Sequence, residues 1–278
     1  MQRMAWTRAV MLAAGLVLVT AAPAGARTAV VRGAVTPAEP VVVIMMENKT
    51  YSDIVGNKSA PYIQSLIAGG TLYTNYQAFP GSLPDYLANT SGVQTTSAAR
   101  PSENLFHELQ TAGISWGEYE ESMPSACFKS SGSDPYKKEH NPAIYYNDIT
   151  SSSAACANVL PYTAFDPTHL RAFSYVVPNL NDDMHDGSSR TAQIAAGDAW
   201  LKAHVPAMVA GGARVYVTWD EGRRSDEHVA TIAFGGGAAA GAKDTGSYTH
   251  YGFLAGLENA FGVALVNGAK TSTPLAIS

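Results

Sequence analysis

The sequence is poor in charged residues. Only 15% of its 278 residues are charged, and acidic residues outnumber basic ones, which gives a formal net charge of −5. An acidic chain argues against nucleic acid as a partner, because binding to a phosphate backbone relies on lysine and arginine. The sequence also has no internal repeat and no apolar run long enough for a comfortable membrane span. With 46% hydrophobic residues, it can bury one large core or two small ones.

Cysteine is scarce as well, since the chain contains only Cys127 and Cys156. Neither lies in a CxxC pair or has a histidine at ligand spacing, so a zinc site is the less favoured interpretation. In an exported protein, an even pair of cysteines most simply forms a disulfide. Closing this loop would stabilise the fold by roughly 3 kcal/mol.

The first 26 residues have the three parts of a secretory signal. Arg3 and Arg8 form a basic region, residues 9–19 are apolar, and residues 24–26 are small, as at a cleavage site. We therefore expect a secreted protein. The predicted organisation is a signal peptide at 1–26, a linker at 27–40 and a single domain at 41–278.

Apolar runs and amphipathic segments alternate along the domain, which predicts an α/β fold with a mainly parallel central sheet. Residues 120–166 are too long and too polar for a plain connection, and such segments are usually functional or anchored by a disulfide. Strands are predicted at 41–46, 71–76, 114–119, 172–177, 214–219 and 229–234, and helices at 61–68, 83–91, 104–113, 192–209 and 251–261.

Oxygen-bearing side chains follow two of the predicted strands directly. Glu47 and Asn48 come after strand 41–46, and Asp220 and Glu221 come after strand 214–219. The carboxyl ends of parallel strands meet at one edge of a sheet, where ligands bind. Four oxygen ligands at that edge would suit one divalent cation, Mg²⁺, Ca²⁺ or Mn²⁺, better than zinc.

Each pair also has an ordinary structural interpretation. Asn48 or Thr50 would cap the following helix, and Asn48 also matches a glycosylation acceptor. Asp220 would begin a turn with Gly222, and Glu221 would be solvated. The shared position after two strands favours the metal interpretation.

Ser82 precedes a predicted helix that has Pro84 just inside it. Serine is common as an N-cap, and the local sequence alone favours that role. A helix N-terminus is also a place where backbone N–H groups bind anions. A serine there, next to a divalent cation, would be a candidate nucleophile for attack on phosphorus.

Three histidines are candidates for the same site. His185 lies in a polar loop between Asp183 and Asp186, which would favour a protonated ring able to act as an acid. His140 lies in a basic stretch of the long segment 120–166, where either a phosphate contact or a solvated loop is expected. His250 precedes the last predicted helix and would either cap that helix or reach the site.

Taken together, these residues resemble the bacterial phosphoesterase family of secreted acid phosphatases and non-specific phospholipases C, within the alkaline-phosphatase-like superfamily. The likeness is greatest to the mycobacterial secreted acid phosphatase type, and it spans about residues 41–262. It rests on the stretches 46–48, 56–61, 82–87, 183–187 with 197–201, 218–221, and 249–251 with 257–258.

The resemblance implies a central sheet sandwiched by helices, and a metal held by Glu47, Asn48, Asp220 and Glu221. It implies that Ser82 is the nucleophile of a phosphomonoesterase that forms a phosphoseryl intermediate. The substrate would be a small phosphorylated molecule or a lipid head group, phosphoinositides included. His140 and His185 would bind phosphoryl oxygens or protonate the leaving group, and Asp85, Asp183 and His250 would lie beside the substrate.

The chain departs from the family pattern at two positions. Asp85 stands where the family usually has asparagine, and residues 79–81 lack the usual histidine before Ser82. A carboxylate beside an incoming phosphate would weaken turnover or shift it to low pH, because like charges repel strongly in a site of low dielectric constant.

Two other functions remain open at this stage. The first is a phospholipase C that cleaves phosphodiester head groups. The absence of a basic amphipathic helix for a bilayer argues against it, and we expect no stable membrane insertion. The second is a non-catalytic secreted protein that binds phosphate or metal, with Asp85 marking a decayed site.

Overall fold

One sheet organises the part of the chain that this computed structural model describes, namely residues 37, 39–96 and 103–277. Within those residues its strands lie in the order β4-β3-β5-β1-β6-β7-β2-β8, and β9 also pairs with β2. The strands are β1 (Val41–Met46), β2 (Thr71–Gln77), β3 (Trp116–Glu120), β4 (Val159–Pro161), β5 (Phe173–Val177), β6 (Arg214–Trp219), β7 (His228–Phe234), β8 (Ala242–Asp244) and β9 (Tyr248–Thr249).

Strand β1 is central because all six of its residues are apolar, and all six are buried. It pairs in parallel with β5 on one side and with β6 on the other. The sheet is mainly parallel, as predicted, with β7 as the antiparallel exception between β6 and β2. All six predicted strands are present. The sequence did not predict β4, β8 and β9, because strands of two or three residues are too short to show the alternation of apolar and polar residues.

Helices cover the sheet, as the sequence resemblance implies. They are α1 (Tyr51–Ile54), α2 (Pro61–Gly69), α3 (Ser82–Ser91), α4 (Leu105–Thr111), α5 (Asn147–Ser151), α6 (Ser153–Cys156), α7 (Arg190–Ala210) and α8 (His250–Phe261).

Different helices cover the two faces of the sheet. On one face, the ring of Tyr216 in β6 packs 5.3 Å from the ring of Phe253 in α8. Tyr216 is paired with Val43, so these two side chains point to the same face. Met46 lies three residues after Val43 in β1, so the Met46 side chain points to the opposite face. There Met46 meets α7 so closely that a Cβ added to Gly197 would be 2.9 Å from the Met46 side chain.

Helices α2 and α7 are joined by a capping contact. The carboxylate of Asp198 in α7 accepts hydrogen bonds from the backbone N–H groups of Tyr62 and Ile63, at 3.1 and 2.8 Å. These donors lie in the first turn of α2, whose own N-cap, Ala60, has no side chain able to satisfy them. Asp198 therefore fixes α2 against α7 and complements the dipole of α2.

The strand directions explain why distant segments of the chain meet. Because β7 is antiparallel to both of its neighbours, β2 again runs in the direction of β1 and β6. The carboxyl ends of β1, β2, β5 and β6 therefore lie at one edge of the sheet, which we call the carboxyl edge. Strand β9 is parallel to β2 and ends at the same edge.

The long segment 120–166 is anchored as predicted. Cys127 and Cys156 form a disulfide with a Cα–Cα distance of 5.2 Å. Strand β4 adds to the sheet beside β3, and short 3₁₀ turns at Lys138–His140 and Pro142–Tyr145 bring His140 into the interior.

The predicted signal peptide lies outside the described residues, and it remains a prediction. Among the described helices, none combines the length and the apolar character needed to cross a bilayer.

Candidate active site at the carboxyl edge

Glu47 lies at the centre of the candidate site. It follows β1 directly and is fully buried, and its backbone N–H donates to the carbonyl of Asp183 at 2.8 Å. Its carboxylate oxygens have different partners. Oε1 accepts a hydrogen bond from Tyr86 Oη at 2.8 Å and lies 3.2 Å from His140 Nε2, whereas Oε2 accepts one from Ser82 Oγ at 3.4 Å.

Asp220 and Glu221 meet Asn48 at the same edge. The Asn48 backbone N–H donates to Asp220 Oδ1 at 3.2 Å, and its side-chain amide donates to Glu221 Oε1 at 2.7 Å. The four side chains expected to bind a cation are therefore brought together. Asn48 has a φ of +43°, a left-handed conformation that asparagine tolerates better than most residues. It does not cap a helix, because Thr50 caps α1 through a reciprocal bond with Asp53.

Ser82 is not an N-cap, so the interpretation that the local sequence favoured is wrong. Gly81 occupies the N-cap position of α3 with a φ of +96°, and Ser82 is the first residue of the helix. The Ser82 hydroxyl instead lies 3.4 Å from Glu47 Oε2 and 3.4 Å from Glu221 Oε1. Glu221 is in turn held by the backbone N–H of Gly81 at 2.6 Å. Ser82 is half-buried.

His140 packs behind Glu47. Its side chain is almost fully buried, its ring stacks on Tyr86 at 5.2 Å, and its Nδ1 lies 3.6 Å from Asp183 Oδ2. Glu47, His140 and Asp183 each offer one ligand atom within 4.8 Å of the others, so this group could hold a metal ion. The sequence pattern around His140 indicates a phosphate contact or a solvated loop, and it gives no sign of a metal ligand.

His185 is the exposed histidine of the site. Its side chain is 41% exposed, and its ring centre lies 6.3 Å from that of His140. The two flanking acids contact it differently. Asp186 Oδ1 lies 2.8 Å from the ring Nδ1, while Asp183 Oδ1 accepts a hydrogen bond from the His185 backbone N–H at 2.7 Å.

Several buried carboxylates lie close together at the carboxyl edge, and the pKa values of the titratable groups there are shifted. Burial, followed by the Asp220 and Asp183 carboxylates, raises the pKa of Glu47 well above its usual value. Burial and the neighbouring Glu221 raise the pKa of Asp220, and burial raises the pKa of Asp183 to about 8. Burial also lowers the pKa of His140 to about 3, so its ring is neutral.

This donor set fits a divalent cation. Asp220 Oδ2 and Asp183 Oδ2 are buried, and neither has a hydrogen-bond donor among the described residues. Buried carboxylates without donors are costly, and they are usually paired or bound to a metal. Oxygen ligands from Glu47, Asn48, Asp220 and Glu221 suit a hard cation.

Tyr86 belongs to the candidate site, although no sequence motif pointed to it. It lies four residues after Ser82, so both side chains project from the same face of α3, and its hydroxyl donates to Glu47. The helical spacing was readable in the sequence. However, the partner of Tyr86 was not, because Glu47 is 39 residues away.

His250 lies beneath Asp220, in the interior of the fold. Its side chain is fully buried, and its Nε2 donates to the backbone carbonyl of Asp220. Since burial lowers the pKa of His250 to about 4, the ring is neutral and Nδ1 accepts from Tyr76 Oη at 2.9 Å. Thr249, not His250, caps α8. The expectation of a substrate contact is therefore replaced by a supporting position beneath Asp220.

Comparisons with known proteins identify the family of the chain. Residues 57–264 match the model of the Phosphoesterase family. The chain is 31% identical to the phosphatidylinositol-3-phosphatase of Mycobacterium tuberculosis over 256 residues, which cover 84% of this chain and 81% of that protein. It is 26% identical to the phosphate-repressible acid phosphatase of Penicillium chrysogenum over 301 residues, covering 94% of this chain and 70% of the relative.

Solved structures show the same fold at low sequence identity. A protein of the alkaline phosphatase superfamily from Vibrio parahaemolyticus has a TM-score of 0.59 and 12% identity, covering 86% of this chain and 71% of the other. The lipoteichoic acid synthase LtaP of Listeria monocytogenes has a TM-score of 0.56 and 7% identity, with coverage of 86% and 77%. These likenesses confirm the expected α/β architecture.

Asp85 stands where the family that this sequence resembles usually has asparagine. Like His250, it lies in the interior of the fold. It is fully buried, its Oδ1 accepts from the backbone N–H of Phe79 at 2.9 Å, and the same oxygen lies 3.6 Å from His250 Nε2. Burial, followed by the Asp220 carboxylate, raises the pKa of Asp85 to about 10. A protonated and enclosed Asp85 would not repel an incoming phosphate.

This burial predicts a pH-dependent effect of Asp85→Asn on stability. Between its usual pKa of 3.8 and about 10, the carboxyl is ionised in the unfolded chain but protonated in the fold. Stability is therefore lost as the pH rises through this interval, and asparagine removes the loss. We expect Asp85→Asn to raise the free energy of unfolding, with a gain that is larger at pH 8 than at pH 5 by about 1 kcal/mol or more.

Urea denaturation at the two pH values, with a chelator present, measures this difference. Asp134→Asn is the matched control, since Asp134 is exposed and the same gain should not appear there. An Asp85→Asn protein less stable than the wild type at pH 8 would show that Asp85 is ionised in the fold.

Proposed function

The chain belongs to the phosphoesterase family and is a phosphoric ester hydrolase, and we propose that it is a secreted, metal-dependent phosphomonoesterase with Ser82 as its nucleophile. One observation supports this proposal above the others. The Ser82 hydroxyl lies 3.4 Å from two carboxylates, Glu47 and Glu221, at the carboxyl edge of the sheet. Secretion follows from the predicted signal peptide at residues 1–26.

The proposed substrates are phosphate monoesters. The mycobacterial relative is named a phosphatidylinositol-3-phosphatase. The phosphate group that this name refers to is a monoester on a lipid head group. We therefore include lipid head groups of this type beside small phosphorylated molecules. In this proposal, Ser82 attacks phosphorus and His185 protonates the leaving oxygen.

The proposed ligands of the cation are Glu47, Asn48, Asp220 and Glu221, with Ser82 in contact. The Asn48 amide donates its N–H to Glu221, which leaves its carbonyl oxygen as the atom available for a cation. A divalent cation bound there would offset charge on the phosphoryl oxygens and favour ionisation of the serine hydroxyl.

In the proposed reaction, Ser82 Oγ attacks phosphorus and the ester P–O bond breaks, which leaves a phosphoserine. The hydroxyl proton passes to Glu221 Oε1, which lies 3.4 Å away. No side chain of the described residues caps α3, so the first N–H groups of this helix are available to phosphoryl oxygens. Water then hydrolyses the phosphoserine and releases phosphate.

We propose His185 as the acid that protonates the leaving group. Asp186 contacts its Nδ1 at 2.8 Å and orients the ring, while the exposed position leaves Nε2 available to a leaving oxygen. His140 is less suited to this step, because it is buried and burial lowers its pKa to about 3.

Replacing the nucleophile should abolish turnover while the fold survives. For Ser82→Ala we expect phosphate release from an aryl phosphate and from phosphatidylinositol 3-phosphate to fall by about a thousandfold or more, since a covalent route is lost. Ser65→Ala is the matched control, because Ser65 is exposed on α2. Retained turnover in Ser82→Ala would remove Ser82 from this role. Release of diacylglycerol in place of phosphate would instead indicate a phospholipase C.

Removing the cation should have a similar effect. After treatment with a chelator, we expect phosphate release to fall to background and to return on addition of Mg²⁺, Ca²⁺ or Mn²⁺ singly. Asp220→Asn should raise the cation concentration needed for half-maximal recovery by about tenfold or more, since one charged ligand is lost. Glu139→Gln, at an exposed position, is the control. Full activity in the chelated and dialysed protein would contradict a metal-dependent reaction.

The acid role of His185 predicts a dependence on the leaving group. His185→Gln should lower kcat for an alkyl phosphate, whose alkoxide needs a proton, by about 100-fold. The same substitution should change kcat for 4-nitrophenyl phosphate much less, because nitrophenolate departs without one. Comparing the two kcat ratios measures this effect. Equal losses for both substrates would point to a binding role.

A further inference from the structure

Lys49 is a buried charged residue without a role in the proposed reaction. It follows Asn48 at the carboxyl edge and is only 2% exposed. Its ammonium donates a hydrogen bond to the backbone carbonyl of Met184 at 2.7 Å, in the loop after β5. Burial lowers the pKa of Lys49, while the carboxylates of Asp53 and Asp183 act in the opposite direction. Lysine is almost never fully buried unless it is paired, and here one partner is the backbone of another loop.

Met184 has a strained backbone. Its φ of +85° lies in the left-handed region, which a residue with a long side chain rarely adopts. Such a conformation persists only where the surroundings hold it in place. Lys49 bonds to the Met184 carbonyl, and the Met184 side chain packs against Gly197 of α7, where an added Cβ would lie 2.5 Å from it. The turn at Met184 is therefore held from two sides.

This turn lies directly before His185. The Met184 carbonyl and the His185 N–H belong to one peptide unit, which is planar. Lys49 bonds to the oxygen of this unit, and Asp183 Oδ1 accepts from its N–H at 2.7 Å. The carbonyl of His185 itself accepts from Gln193 Nε2 at 2.8 Å. Both ends of the peptide unit are thus fixed, which sets the direction in which the His185 side chain leaves the backbone.

We propose that Lys49 is a positioning residue for His185, because it fixes the peptide unit before His185 and so directs the ring toward the leaving oxygen. This inference rests on the proposed function, in which His185 protonates the leaving group. Lys49 acts through the backbone and does not touch the substrate. A proton donor must lie within hydrogen-bond reach of the oxygen that it protonates, and a displacement of about 1 Å can cost about 100-fold in rate.

Lys49→Met tests the proposal, because it removes the ammonium and keeps an unbranched side chain. We expect kcat to fall by about tenfold or more for an alkyl phosphate, and by about threefold or less for 4-nitrophenyl phosphate, whose leaving group needs no proton. Both are measured at a saturating concentration of the activating cation, so that a change in cation affinity does not enter. Lys202→Met, at an exposed position on α7, is the matched control and should change neither value.

The double variant with His185→Gln separates positioning from a general loss of structure. Once the acid is absent, Lys49→Met should lower kcat for the alkyl phosphate by less than about twofold more, since it acts through His185. A general structural defect would instead lower kcat by the same factor in both backgrounds. Such a repeated loss, or equal losses for the two substrates in Lys49→Met alone, would overturn the proposal.

Gly197→Ala disturbs the same turn without changing a charge. The added methyl would displace the Met184 side chain, so we expect the same greater loss of kcat for the alkyl phosphate. Thr191→Ala, exposed on the same helix, is the control. If Lys49→Met does not fold, Gly197→Ala decides alone, and equal losses for the two substrates would overturn the proposal.

The same measurements distinguish this inference from the proposed function. Equal losses for both substrates in His185→Gln would remove the acid role of His185, and the positioning role of Lys49 with it. A leaving-group dependence in His185→Gln that Lys49→Met does not share would overturn the role of Lys49 alone and leave the proposed reaction intact.

Discussion

The site depends on repulsion between carboxylates that the fold forces together. Glu47, Asp183 and Asp220 are fully buried at one edge, with Glu221 half-buried beside them. Burial raises the pKa values of the first three, and repulsion from neighbouring carboxylates adds to the rise at Glu47 and Asp220. Such an arrangement costs stability, and a bound cation would offset that cost.

The scaffold can sustain this repulsion because the strands beneath it are rigid and fully buried. Strands β1 and β6 pair along their whole length, and the Asp220 backbone N–H continues the pairing to Met46. The loop after β5 is fastened separately, since the Lys49 ammonium donates to the Met184 carbonyl at 2.7 Å. Hydrogen bonds to the backbone thus fix the segments from which the acids project. The acids themselves remain available to a cation.

The sequence predicted some features of the site and failed on others, for specific reasons. Glu47 and Asp220 were placed correctly because each follows a run of buried strand residues, and strand ends meet at one edge. Ser82 was misread from its local sequence, because the helix begins one residue earlier than expected, at Ser82, so Gly81 takes the N-cap position and the hydroxyl is not used as a cap. Asp85 and His250 were expected beside the substrate, but both are fully enclosed behind Asp220. A sequence does not show which face of a loop is turned inward.

The sequence by itself determined the α/β class, the order of its main strands and helices, the pairing of the two cysteines and the family. These depend on local period, on composition and on short motifs, which are all properties of neighbouring residues. The tertiary structure alone decided that His140, from the disulfide-anchored segment, lies beside Glu47 and Asp183, and that Tyr86 supports both Glu47 and His140. Those contacts join residues far apart in the chain, so they are set by strand order and by packing against the sheet, which no local pattern encodes.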